Sequence, residues 1–220
     1  MRVVPVTKYK GVERDNILFL LGNGESIKEI DLSFIPIENK VAINRAWKFG
    51  PAKYHVLNYD TAFFTDAEKY QPKILFSHGK LEEISGSTKE KLDCDLTMIP
   101  RKPKLASLDL AFGWRPSHAG LLAIHLSWYM QADIIFLVGY DGYGGHFEES
   151  PTMKYPASLI QEDHDRHKVE LQEFYAKART ENYSTRIYNT NSSNAYGVFP
   201  VRPMEEAMEY LKRNQKRKIN

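Results

Sequence analysis

Two short, unbroken apolar runs that each end at a glycine constrain the fold more than any other feature. ILFLL, residues 17–21, stops at Gly22, and IIFLV, residues 134–138, stops at Gly139. A strand that is apolar at consecutive positions is buried on both faces. Such strands belong to sheets that helices cover on both sides. The sequence therefore predicts an α/β fold with a doubly wound, mostly parallel, Rossmann-like sheet.

Shorter apolar stretches predict the rest of the sheet, and helical spacing predicts its connections. Further strands are expected at residues 40–44, 54–57, 74–77 and 185–188. Helices are expected at residues 25–32, 117–130, 163–180 and 204–214, with Ser117 as the N-cap of the second. We expect one domain over residues 1–220. Residues 80–113, with weak strand signals near 96–99, and residues 144–162 are expected to be loop or lid insertions.

Charge and cysteine content limit the classes of function. Thirty Lys and Arg against 28 Asp and Glu leave a net charge of +2, too small for a protein built around a nucleic-acid backbone. The local basic run near the C-terminus is interpreted as a solvated helix end. It comprises Lys212, Arg213, Lys216, Arg217 and Lys218. The single cysteine, Cys94, and the absence of a signal-peptide or membrane-spanning sequence favour the cytoplasm.

A glycine-bearing turn follows the first apolar run. It reads Gly22-Asn23-Gly24-Glu25-Ser26. Glycine lets the backbone approach a phosphate or ribose, and the first N–H groups of a following helix face an anion. The alternative is an ordinary tight strand-to-helix turn. Ile27 replaces the third glycine of the dinucleotide fingerprint and Asn44 replaces its ribose-binding acid, which favours a mononucleotide over NAD.

Polar or glycine residues follow five of the predicted strands. In open α/β sheets, ligands bind beyond the carboxyl ends of the strands. One cleft is therefore expected to gather residues 22–24, 44–45, 58–60, 139–143 and 189–193.

The sequence offers no convincing metal site or classical nucleophile. The seven histidines show no H-E-x-x-H spacing, and Asp163, His164 and Asp165 point in different directions on a helix. His164 and His167 share a helical face, which leaves open a metal pair or a solvated helix face. Walker A and G-x-S-x-G motifs are absent, and Cys94 has no recognisable partner.

Two blocks of sequence resemble the bacterial lipooligosaccharide sialyltransferase family. LLGNGESIKEIDLSFIP, residues 20–36, is similar to the opening of that family, whose first strand ends in Gly-Asn-Gly-x-Ser. The second block runs from His118-Ala119-Gly120 through an apolar helix and strand to residues 139–143, where the family has Gly-Ile-Asp-x-Tyr. With the other strand ends, the resemblance covers about half the chain. Where the family has Thr-Ser at the helix start, this chain has His118-Ala119. This difference removes a hydroxyl from the implied donor site and questions whether the sugar is sialic acid.

This resemblance implies a metal-independent, inverting glycosyltransferase that uses a CMP-sugar-like donor. It places His164, with His167 as a rival, as the general base, and Tyr143 as a donor to the departing phosphate. An imidazole suits the first role because it titrates near neutral pH. The implied donor-binding residues are Gly22, Asn23, Gly24, Ser26, Asn44, Asn58, Gly120, Gly139, Asp141 and Tyr155. Tyr155 is the nearest substitute for a second family tyrosine.

Two other interpretations stay open. The Gly-Asn-Gly-x-Ser turn and the later Gly-x-Asp also resemble the hydroxymethylpterin diphosphokinase-like family, in which Asp141 would bind Mg²⁺ for pyrophosphoryl transfer from ATP. A nucleotide-binding protein without turnover is the third interpretation.

Under the first interpretation, that of a glycosyltransferase, no cofactor is expected beyond the nucleotide-sugar substrate. The acceptor is a glycan, a lipid-linked sugar or a modified nucleic-acid base, and both a monomer and a homo-oligomer stay open.

Overall fold

Eight strands form one sheet in which every neighbouring pair is parallel. The computed structural model describes residues 1–57, 72–78, 90, 92–99, 108–109, 118–142, 157–181, 184–191 and 196–219. The strands are β1 (Arg2–Val3), β2 (Ile17–Leu21), β3 (Lys40–Ile43), β4 (Tyr54–Leu57), β5 (Ile74–His78), β6 (Asp95–Ile99), β7 (Ile134–Val138) and β8 (Arg186–Asn189). Their order is β1-β6-β5-β4-β3-β2-β7-β8. The predicted doubly wound α/β class is confirmed.

Within the described residues, three α-helices cover the two faces of this sheet. They are α1 (Ala119–Tyr129), α2 (Ala157–Ala178) and α3 (Met204–Ile219). The first two pack with Leu18 and Leu20 on one face, and α3 packs with Phe19 on the other. Within the described residues, no helix combines the length and apolarity that crossing a membrane requires.

The central strands are held by apolar burial on both faces. All five residues of β2 and of β7 are buried. The rings of Phe19 and Phe136, from adjacent strands, stack at a centroid distance of 5.3 Å. Burying one such side chain contributes about 1.5–3 kcal/mol relative to leaving it exposed. This pair therefore fixes the centre of the sheet.

A buried carboxylate fastens the segment before β2 to the start of β4. Glu13 is 1% exposed, and it accepts a short hydrogen bond from the Tyr54 hydroxyl. Asn16 Nδ2 donates to it at 2.6 Å, and Lys53 Nζ lies 2.9 Å away. Burial, followed by the Glu13 carboxylate, raises the pKa of Tyr54 far above its ordinary value. This cluster joins the amino-terminal ends of β2 and β4.

The structure corrects two predictions about the helices. The predicted helix at 25–32 is instead a 3-10 turn, Glu25–Glu29, and it ends where the Asp31 carboxylate accepts the Ser33 N–H at 2.8 Å. Such a local side-chain turn competes with helix. The N-cap of α1 is His118 rather than Ser117, because the His118 side chain accepts the Leu121 N–H.

The predicted insertions also differ from the structure. Residues 95–99 are not a lid: β6 pairs with β5 and with the unpredicted β1, which Arg2 fastens to Asp95 through two hydrogen bonds of 2.7–2.8 Å. Helix α2 begins at Ala157, inside the second predicted insertion. Cys94 is buried beside β6, and burial raises the pKa of its thiol to about 11.

The basic run at the end of α3 has the predicted solvated character. Lys212, Arg213, Lys216 and Arg217 are exposed, and the helix extends to Ile219 rather than stopping at residue 214.

Candidate functional site

The candidate site is the crevice between the carboxyl ends of β2 and β7. The chain leaves β2 toward β3 on one side, and β7 leads to β8 on the other, so the winding direction reverses between these two strands. Such a switch point is where open α/β sheets bind ligands. The ends of β4, β3, β2, β7 and β8 follow one another along this edge. At about 4.8 Å between strands they span about 19 Å, enough for a nucleotide.

Two glycines allow the loops after β2 and β7 to touch. Gly22 N–H donates to Val138 O at 2.7 Å, and Gly24 N–H donates to Gly139 O at 2.9 Å. A Cβ on Gly22 would lie 2.5 Å from Gly139 O, and one on Gly24 would lie 2.4 Å from Asp141 Oδ2. Only glycine fits either position. Contact between the two loops thus accounts for both glycines before any ligand is considered.

Asp141 ties three strand ends together. Its carboxylate accepts the Ser26 N–H at 2.9 Å, the Ser26 hydroxyl at 2.5 Å and the Asn191 Nδ2–H at 2.8 Å. These donors follow β2 and β8, while Asp141 itself follows β7. The Ser26 N–H was one of the groups expected to face a ligand anion. In this structure the Asp141 carboxylate takes that place.

The ends of β2 and β3 hold an unsatisfied acceptor and a residue with strained backbone. Asn23 Oδ1 is buried and has no hydrogen-bond partner within the described part of the chain. Leaving a buried polar group unsatisfied costs about 1–3 kcal/mol. Asn44, which follows β3, has a left-handed backbone with φ of +49°. Strain of this kind costs about 1–3 kcal/mol and is concentrated at functional sites.

A tyrosine links the β7 loop to the start of α1. The Tyr140 hydroxyl donates to Gly120 O at 3.1 Å, and Asn189 Nδ2 donates to Tyr140 O at 3.2 Å. A Cβ on Gly120 would lie 3.0 Å from both His118 Nδ1 and Tyr140 Cε1. A side chain at position 120 would therefore crowd both rings. Burial, and then Tyr196, raises the pKa of Tyr140 well above its ordinary value.

Three histidines gather between α1 and α2. The His118 and His167 rings lie 4.1 Å apart, and the His164 ring stacks on Tyr196 at 5.0 Å and 7°. His164 is only 4% exposed, so the interpretation of a solvated helix face is wrong for it. Its neighbours Asp163 and Asp165 are exposed. The register of α2 explains this, because His164 lies on the same stripe as the buried Leu171 and Phe174.

Burial keeps two of these imidazoles neutral. It lowers the pKa of His118 well below its ordinary value, with His167 and Arg166 acting in the same direction. It also lowers the pKa of His167 to about 4, and Arg166 again contributes. Two neutral rings can lie in contact without charge repulsion. The pair is therefore a source of hydrogen-bonding groups and not of positive charge at neutral pH.

Comparison with family models, curated proteins and solved structures found no match to this chain. The geometry of the cleft is therefore the basis for inferring a function. The resemblance to sialyltransferases stays a prediction.

The structure brings most of the described candidate residues to one edge of the sheet. Those around the switch point are Gly22, Asn23, Gly24, Ser26, Asn44, Gly139 and Asp141. Gly120 and His164 lie in the α1/α2 part, which Tyr140 connects to the loops. Asn58, Tyr143 and Tyr155 lie outside the described residues.

Sequence reasoning missed Tyr140 and Tyr196, and it did not pair Asn191 with Asp141. In the described ranges, no three His, Cys, Asp or Glu side chains are placed to hold a metal ion.

Proposed function

We propose that this protein transfers a sugar from a nucleotide-sugar donor to a hydroxyl acceptor, without a metal and with inversion at the anomeric carbon. The observation that carries the proposal is that the Asp141 carboxylate already accepts hydrogen bonds from other residues of the protein. Under this function Asp141 only shapes the cleft, whereas a diphosphokinase needs it for Mg²⁺. Its three donors from Ser26 and Asn191 suit the shaping role. We therefore favour glycosyl transfer over pyrophosphoryl transfer.

The donor nucleotide fits the cleft by its hydrogen-bonding groups. Asn23 Oδ1 needs a donor, which a ribose hydroxyl or a base amino group supplies. The span of five strand ends accommodates a mononucleotide. Asn44, on the adjoining strand end, lies on the side of β2 away from β7. This arrangement supports the implied donor pocket.

In the proposed reaction, the acceptor oxygen attacks the anomeric carbon while the bond from that carbon to the phosphate oxygen breaks. The acceptor proton passes to His164, and the nucleotide leaves with the bonding electron pair. His164 Nε2 is buried in this structure. An acceptor can reach it only if a neighbouring side chain moves, and Tyr196 is in contact with the ring. Tyr143 is the implied donor to the leaving phosphate.

A ligand panel tests the proposal. We expect CMP to raise the melting temperature and NADH to leave it unchanged, since a ligand at 100 times its Kd stabilises by about 2.7 kcal/mol. Turnover of CMP-sugars is expected to survive EDTA. Melting raised by NAD(P) alone would contradict a mononucleotide site. Strict Mg²⁺ dependence with ATP would support the diphosphokinase, and CMP binding without turnover would support a non-catalytic protein.

Replacing His164 with alanine is expected to lower turnover at least about a hundredfold while nucleotide affinity stays unchanged. Loss of a general base typically costs about 10²–10⁴ in rate. Steady-state kinetics with CMP binding measured in parallel checks this. His167→Ala is the matched comparison, because His167 lies one turn further along α2. A fully active His164→Ala protein, or a loss confined to His167→Ala, would remove His164 from this role.

A further inference from the structure

His118 has a ring nitrogen that no described residue satisfies. His118 Nδ1 accepts the Leu121 N–H at 3.2 Å, which caps α1. Its other ring nitrogen, Nε2, is buried and has no hydrogen-bond partner among the residues that the structure describes. A buried polar atom without a partner is destabilising, and it is rare in folded proteins. The cap thus gives Nδ1 a structural role, and no such role is evident for Nε2.

The cap determines which nitrogen carries the proton. Because a backbone N–H donates to Nδ1, that atom must present its lone pair, so a neutral ring is protonated on Nε2. Burial and the neighbouring His167 and Arg166 lower the pKa of His118, which keeps the ring neutral near pH 7. The unpartnered atom is therefore an N–H donor. In this tautomer it offers no lone pair to a metal.

This donor belongs to the same edge of the sheet as the switch-point loops. His118 Nδ1 and Tyr140 Cε1 each lie 3.0 Å from where a Cβ of Gly120 would be. Tyr140 directly precedes Asp141, the residue that joins the loops after β2, β7 and β8. Because α1 leads into β7, its first residues lie at the carboxyl edge of the sheet, and the His118 ring lies on the α1 side of the cleft.

We propose that His118 Nε2–H binds an oxyanion of the ligand in this cleft. The identification of that oxyanion as a phosphate or a sugar carboxylate of a nucleotide-sugar rests on the proposed function. A neutral imidazole donor recognises an oxygen acceptor by direction and needs no positive charge of its own. It acts beside the proposed general base His164 as a ligand-binding residue.

Two substitutions separate the binding role from the capping role. In His118→Asn, the amide oxygen replaces Nδ1 as the cap acceptor, and asparagine is among the best N-cap residues. It places nothing at the Nε2 position. In His118→Gln, the amide nitrogen reaches the Nε2 position, but the cap is lost. The first variant keeps the cap and loses the donor, and the second does the reverse.

Isothermal titration with cytidine, CMP and CMP-N-acetylneuraminate, together with thermal melting, gives the expected pattern. His118→Asn should melt close to the wild type and bind the anionic ligand about 10- to 100-fold more weakly, as expected for one hydrogen bond to a charged group. His118→Gln should melt at a lower temperature and bind within about threefold of the wild type. Normal binding by both variants would overturn the proposal.

The three ligands identify the oxyanion. If His118 binds the phosphate, His118→Asn removes the advantage of CMP over cytidine. If it binds a sugar carboxylate, CMP affinity is unchanged and only that of CMP-N-acetylneuraminate falls.

A spectroscopic readout keeps this test independent of the proposed reaction. In protein labelled with [¹⁵N]histidine, the free His118 ring should show the Nε2–H tautomer, and saturating inorganic phosphate or CMP should shift its Nε2 resonance. A response to phosphate without any sugar transfer would support the anion site and contradict the glycosyltransferase. An Nδ1–H tautomer, or no response to phosphate, CMP or CMP-N-acetylneuraminate, would overturn the anion site.

Discussion

Lowering the pH from 7.5 to 5 is expected to remove about 4 kcal/mol or more of the free energy of unfolding. Burial lowers the pKa of His55 to about 3 and that of His125 to about 4, from an ordinary value of 6.5. The unfolded chain therefore binds these protons first. Stability that is present above pH 6.5 is lost progressively as the pH falls toward 4. Each such histidine contributes about 1.4 kcal/mol per pH unit below 6.5.

The lowered pKa values of His118 and His167 act in the same direction. Urea denaturation at several pH values measures the effect. His125→Gln is a suitable control, because the glutamine amide can still donate to Leu108 O, the partner of His125 Nε2 at 2.8 Å. The free energy of unfolding of this variant should depend less on pH, by the contribution of one histidine, about 1.4 kcal/mol per pH unit below 6.5. A free energy of unfolding that is level between pH 7.5 and 5 would show that these rings protonate freely in the folded protein.

Replacing Asp141 with alanine is expected to destabilise the protein by about 3 kcal/mol or more and to weaken nucleotide binding. The substitution leaves the Ser26 N–H, the Ser26 hydroxyl and the Asn191 amide without their acceptor. Hydrogen bonds to a charged group contribute about 1.5–3 kcal/mol each, and unpaired donors add a penalty. The loops after β2 and β8 would then lose the side-chain link that Asp141 makes to both of them.

Ser26→Ala is the matched control for this substitution. It removes only the 2.5 Å hydroxyl bond and keeps the Ser26 backbone bond, so a loss of about 1.5 kcal/mol is expected. Denaturation curves and CMP titrations of both variants make the comparison. If Asp141→Ala costs no more than Ser26→Ala, the carboxylate does not join the loops. If Asp141→Ala instead abolishes Mg²⁺ binding in the folded protein, this result would support the diphosphokinase function.

The fold class was predictable because its decisive strands are buried on both faces. β2 and β7 have no polar residue, so their apolar runs needed no tertiary information. β1 and β6 lacked that signal. β1 is two exposed residues, and β6 begins with Asp95, whose partner Arg2 lies 93 positions away. Their pairing is a tertiary effect that local sequence does not carry.

The candidate site was predictable in its location and less so in its contacts. Parallel strands bring their carboxyl ends to one edge, which placed the Gly22 and Gly139 loops together correctly. The bond between Asp141 and Asn191 depends on two side-chain orientations and had no sequence signal. The burial of His164, in contrast, had a sequence signal. His164 precedes Leu171 by seven residues and Phe174 by ten, which is the spacing of one helical stripe.

The position of β2 at the centre of the sheet has a consequence for synthesis of the chain. One of its neighbours, β3, follows soon after it, but the other, β7, pairs Ile17 with Ile134. A nascent chain therefore carries an entirely apolar strand with one open edge until more than a hundred further residues have been made. Such edges pair readily with other chains. Both walls of the cleft exist only after β7 has been added, so folding is expected to be slow and to benefit from chaperones that shield β2.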